Sequence, residues 1–244
     1  MSLKNSIITL LILFVAASCK KESSPIENTI GQGDMFFFAK ASGTGIKTLA
    51  TTKSDSVVSN TVVVNWSSAS MYVDKISFTA KINNSVDTTT STISVGKNIN
   101  IFSADALAGI INLPSGSYKD VKAKLLLRKN SFPELAFYLK GTFTNTNGVQ
   151  DSITVASSLP VEVNLAVTNL TINPSDGYNV TFNFDLNKIL TGISTRSLQT
   201  IRPIVDKNNR SMYYIWKGGS AEEPFFFEVT RNWQTVASVS LIKK

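Results

Sequence analysis

Apolar residues recurring at every second position constrain this chain more than any other feature of it. Ile76, Phe78, Ala80 and Ile82 alternate with Lys75, Ser77, Thr79 and Lys81. A β-strand turns successive side chains to opposite faces, so this spacing places the apolar set against a core and the polar set in water. The same period returns over residues 121–127, 135–143, 161–167 and 180–186. Thr, Val, Ile and Phe fill these runs, as suits a pleated, half-buried surface. Turn signals part them: Asn147-Gly148, Pro174-Ser175-Asp176-Gly177 and Pro114-Ser115-Gly116. Many short strands, each with one wet face, predict an all-β fold, an antiparallel two-sheet β-sandwich. Two short segments, 104–111 and 186–190, read as helical and are too short to be independent helices. Phe36-Phe37-Phe38 and Phe225-Phe226-Phe227 are apolar on both strand faces, so both read as interior or shielded strands.

The inventory of reactive groups is sparse. The chain has no histidine and a single cysteine, Cys19. Ser-His-Asp and Cys-His hydrolysis and His-ligated zinc are thereby excluded. Glycine-rich phosphate loops and nucleophile-elbow patterns are absent too. Carboxylates remain. A glycosidase needs two of them roughly 5–10 Å apart, and Glu222, Glu223 and Asp185 are the candidates. Solvated loops and strand ends explain these three more economically. Asn183, Asp185 and Asn187 share a strand face but read as polar exterior rather than a calcium site. No cofactor or metal is expected. Lys and Arg number 24 against 17 Asp and Glu, a net charge of +7. Lys75, Lys81, Lys122, Lys124, Arg128 and Lys140 are scattered singly along strands, which reads as a solvated face and argues against a nucleic-acid partner.

Residues 1–18 form a separate unit. Lys4 precedes a charge-free apolar run over 7–17, far shorter than the roughly 20 residues a bilayer-spanning helix needs. This is the pattern of a signal peptide. Ala16, Ala17 and Ser18 lead directly into Cys19, an arrangement that resembles the lipobox of bacterial lipoproteins. The resemblance implies lipid on the Cys19 sulfur and a partner in the membrane itself, each buried methylene contributing about 0.8 kcal/mol. Residues 19–33, opening Lys20-Lys21-Glu22-Ser23-Ser24-Pro25, lack hydrophobic periodicity and read as a flexible tether. Residues 34–205 are then the β-sandwich, and 206–244 a β-rich C-terminal extension packed on it. The expected location is the cell envelope, lipid-anchored at the outer membrane.

The order of several motifs resembles a family of bacterial lipoprotein β-sandwiches, domain of unknown function 4382. The amphipathic run from Lys75 is followed by Ile99-Asn100-Ile101-Phe102 and then by Leu113-Pro114-Ser115-Gly116-Ser117-Tyr118. Phe182-Asn183-Phe184-Asp185-Leu186-Asn187-Lys188 and Ile201-Arg202-Pro203-Ile204-Val205 complete the likeness. It implies a sandwich in an envelope lipoprotein of Bacteroidetes type, and it implies no activity and no functional residue.

Aromatic residues supply the remaining candidates. Trp66, Tyr72, Tyr213, Tyr214, Trp216 and Trp233 serve either as core or as platforms that stack on sugars and protein surfaces. The densest stretch, with Tyr213, Tyr214, Trp216 and Lys217, runs into Gly218-Gly219 and is the expected surface for a glycan or another envelope protein. Ser56, Thr88 and Ser152 each follow Asp and resemble the O-glycosylation acceptors of Bacteroidetes-type envelope proteins. The function expected is a non-enzymatic binding or structural module displayed on a membrane. The alternative is a carbohydrate-active enzyme using paired carboxylates.

Overall fold

The structure is a computed structural model that describes residues 31–42, 61–103, 106–130, 135–207, 209–217 and 224–244. The signal peptide, Cys19, most of the tether, Ser56, Gly218, Gly219, Glu222 and Glu223 lie outside the described residues. In chain order the strands are β1 (Gln32–Ser42), β2 (Asn65–Ile82), β3 (Thr88–Asn100), β4 (Leu107–Pro114) and β5 (Gly116–Leu127). They continue with β6 (Phe137–Thr144), β7 (Gln150–Ser157), β8 (Val161–Ala166), β9 (Leu170–Ile172) and β10 (Gly177–Asp185). A 3₁₀ turn (Leu186–Lys188) and α1 (Thr195–Leu198) lead to β11 (Ile204–Val205) and β12 (Ser211–Lys217). The described chain closes with α2 (Phe226–Val236) and β13 (Ala237–Lys243).

The strands build two sheets, as a sandwich requires. One has the order β13-β10-β1-β4; the other runs β11-β12-β7-β6-β2-β5-β8, with β3 on β2 and β9 on β5. All but two of the pairings are antiparallel; β1–β10 and β7–β12 run parallel, so both sheets are of mixed orientation. Parallel neighbours need long crossovers, and both pairs join segments far apart in sequence. Residues beyond 205 place one strand in each sheet: β12 beside β7 and β13 beside β10.

The alternation explains the core. Met35, Phe37 and Ala39 of β1 are buried, as are Ile76, Phe78 and Ala80 of β2, Val121, Ala123 and Leu125 of β5, and Val180, Phe182 and Phe184 of β10. These belong to one apolar cluster spanning both sheets. Each Val, Leu, Ile, Phe or Met among them contributes roughly 1.5–3 kcal/mol on full burial. Phe36-Phe37-Phe38 lies in an interior strand, as expected, with Phe37 stacked on Phe182 at 6.3 Å. Asn147-Gly148 turns β6 into β7. Gly148 takes φ +79, and the Asn145 side chain accepts from the Asn147 and Val149 backbone amides. Leu113-Pro114-Ser115-Gly116-Ser117-Tyr118 joins β4 to β5. The Tyr118 hydroxyl donates to the Pro114 carbonyl at 2.6 Å, and its ring packs edge-on against Phe78 at 5.7 Å.

Two local expectations are corrected. Residues 107–111 are strand, not helix. Leu107 and Ala108 favour helix in isolation, but the backbone of β1 needs a partner on this edge, and Met35 to Phe37 pair with Ile111 to Gly109. A Cβ at Gly109 would stand 2.6 Å from Ile93 Cδ1, so a larger residue there would require the Ile93 side chain to move. Segment 186–190 does open with a 3₁₀ turn. Phe225-Phe226-Phe227 is not a strand but the entry to α2. The buried residues that follow, Phe226, Val229, Asn232, Trp233 and Val236, recur at helical spacing, and Phe227 is 71% exposed. Trp233 stacks on Phe137 of β6 at 4.5 Å and leans on Phe184 of β10 at 6.1 Å, so one indole touches both sheets.

Candidate functional site

Strand β12 divides the aromatic cluster that the sequence singles out. Tyr213 and Ile215 point into the core, whereas Met212, Tyr214 and Trp216 take the opposite face. Tyr213 packs edge-on against Phe143 at 5.4 Å, and burial pushes its phenol above the ordinary value, with the Asp151 charge adding to the rise. It is therefore part of the support of the surface and not of the surface itself. Lys217 ends the strand opposite Ser157. Of the other aromatic candidates, Trp66, Tyr72 and Trp233 are buried.

The register of three strands assembles the outer face. Tyr138 of β6 pairs with Ala156 of β7, which pairs with Trp216 of β12. The next row is Lys140–Thr154–Tyr214, and the third is Thr142–Ser152–Met212. Partners in register present their side chains on the same face. Neighbouring strands lie about 4.8 Å apart, so Tyr138 and Trp216 flank the small Ala156 at a separation of roughly 10 Å. Ala156 and Thr154 are buried, while Tyr138 and Tyr214 are 36% and 37% exposed and Trp216 is half-buried. The result is two part-exposed rings either side of a small, fully buried residue, with a hydroxyl and an ammonium group in the adjacent row. Tyr138 and Lys140 were not distinguishable as site residues in the sequence. Their signal was only an outward place in the alternation of β6, and their meeting with β12 depends on a parallel pairing.

Comparison with family models, with curated proteins and with solved structures found no match.

The remaining sequence candidates fall elsewhere. Asp185 caps the 3₁₀ turn, accepting from the Asn187 backbone amide at 3.2 Å and facing the Lys188 ammonium at 3.6 Å. Asn183 donates to Ser240 Oγ at 3.1 Å across β10 and β13. No cluster of three or more metal-ligating His, Cys, Asp or Glu side chains occurs among the described residues. Thr88 is exposed at the start of β3, whereas Ser152 lies half-buried in a strand paired on both edges. Among the described residues, no helix is long and apolar enough to cross a membrane.

Proposed function

We propose that this chain is a cell-envelope lipoprotein, held at the outer membrane by lipid on Cys19, whose sandwich is a non-enzymatic module for glycan binding. The leader and the small residues before Cys19 support the anchor. The observation that carries the binding role is the row Tyr138–Ala156–Trp216. Sugar rings present C–H faces that pack on aromatic rings, and two part-exposed rings in one row offer an extended chain two such platforms. The Tyr214 hydroxyl and Lys140 ammonium lie one row away to meet sugar hydroxyls. The paired-carboxylate alternative gains nothing from Asp185, which is occupied as a cap.

Affinity electrophoresis of the full chain through gels containing xyloglucan, mannan or dextran tests this reading. At least one polymer is expected to retard the wild type, and Trp216→Ala and Tyr138→Ala to lose most of that retardation. Both variants should melt close to the wild type, since surface substitutions usually change stability by about 0.5 kcal/mol or less. Retardation by none of the polymers would overturn the proposal. So would a Trp216→Ala variant that melts like a core deletion, about 3–5 kcal/mol less stable.

A further inference from the structure

Strand β2 carries the outer face of this sheet beyond the aromatic rows into a second region of different chemistry. Its Ser70 pairs with Tyr138, and seven to nine residues on, Ser77 and Thr79 pair with Lys124 and Lys122 of β5. Flanking strands complete two further rows, Thr90–Thr79–Lys122–Ala166 and Thr92–Ser77–Lys124–Asn164. Short side chains thus lie on either side of the lysines. Two adjoining hollows of about 400 and 570 Å³ open there, sharing Thr79, Lys122 and Ala166 in their walls. Together they form a trough within the size range of small-molecule sites.

The charge along the trough is unbalanced. Lys81 is paired with Asp120 at 2.8 Å and Lys124 with Glu162 at 3.0 Å. Lys122 stands between them with no carboxylate within 4.0 Å among the described residues. The Asp120 carboxyl is held below its ordinary value by its hydrogen bond and charge contact with Lys81, and the nearby Lys122 and Lys119 add to the effect. Neutral donors line the same walls: the hydroxyls of Thr79 and Thr90, 3.2 Å apart, and the amide of Asn164.

We propose that this trough takes the acidic substituents, carboxylate or sulfate, of an anionic glycan whose sugar rings lie on the aromatic rows. The proposal rests on the glycan reading of those rows and adds the charge class of the ligand. A lysine ammonium is a compact charge suited to single anionic groups, and hydroxyls and an amide beside it suit sugar hydroxyls. Nucleic acid is disfavoured because no aromatic side chain lines the trough to stack a base.

The test compares binding of the full chain, in detergent, to polygalacturonate and dextran sulfate with binding to the neutral polymers above. The acidic polymers should bind more tightly, with an advantage that falls as salt is added. Lys122→Glu should reduce that advantage about tenfold and Lys122→Gln less, while neutral binding is unchanged. Melting curves matching the wild type establish that both variants fold, and Gln, lacking any introduced negative charge, keeps the comparison open should Glu distort the sheet. Equal binding of acidic and neutral polymers, or an unchanged preference in both variants, would overturn this inference while leaving the aromatic reading in place. Failure of every polymer, acidic and neutral, would overturn both. Tighter capture of single-stranded oligonucleotide or anionic vesicles than of polygalacturonate would replace the glycan with that ligand.

Discussion

Removal of the Trp233 side chain should be among the most damaging single changes in the domain. The indole is 2% exposed, stacks nearly parallel on Phe137 with 12° between the planes, and also contacts Phe184. Trp→Ala at such a site costs about 3–5 kcal/mol through lost burial and the cavity left behind. For a domain of this size that corresponds to a fall in Tm of roughly 6–20 °C. The substitution Trp233→Phe discriminates further. The indole Nε1 is buried without a hydrogen-bond partner among the described residues, and an unsatisfied buried donor costs about 1–3 kcal/mol. Phe deletes that donor while keeping a ring against Phe137, so its net loss should stay within about 2 kcal/mol despite the smaller volume. Urea unfolding followed by far-ultraviolet circular dichroism measures both. A Trp233→Ala midpoint close to wild type would refute the claim that α2 is built into the core between the sheets. A minor early transition with the main one unmoved would refute it equally.

Two further outcomes are expected. Labelling with a fatty acid should mark the wild type and not Cys19→Ala, which should remain uncleaved or be released as soluble protein; an unlabelled wild type would contradict the anchor. Above about pH 4, Asp176 should contribute measurably to stability, and acid should remove that contribution. Its carboxyl is lowered from 3.8 to about 2, first by the hydrogen bond from Lys243, with others from the Asn173 backbone and Tyr178. A depressed acid stabilises the fold above its unfolded pKa and loses that contribution as pH falls through the folded value. Stability should therefore drop between about pH 4 and pH 2, and Asp176→Asn should flatten that drop; identical pH profiles would contradict the network.

The period-two pattern carries the fold because burying one strand face leaves a direct trace in sequence. The runs over 121–127 and 180–186 became β5 and β10, ending within a residue or so of expectation. Less visible was anything decided by a distant partner. β4 was obscured because its leucines and isoleucines satisfy helical and strand spacing alike, and only the edge of β1 settles the matter. In α2 the three consecutive phenylalanines masked the helical recurrence of Phe226, Val229 and Trp233. The candidate surface was half legible. Tyr214 and Trp216 follow from composition, but their separation from Tyr213 follows from pleating. Tyr138 joins them only through the order β6-β7-β12, and the trough at Lys122 only through the neighbours β2 and β8. Lys81 of β2 meets Lys122 and Lys124 of β5 only because those two strands pair.

The central claim, that the outer face of β6, β7 and β12 stacks on sugar rings, can be read from tryptophan emission. The chain has three tryptophans. Trp66 and Trp233 are 3% and 2% exposed, and Trp216 alone is half-buried. Acrylamide should therefore quench chiefly Trp216, and the quenchable fraction should be missing from Trp216→Phe. Saturation with a polymer that retards the chain should shield that fraction in the wild type and change nothing in Trp216→Phe. Quenching that stays the same when the polymer is bound would show that the ligand sits elsewhere, and the surface assigned here would be the wrong one.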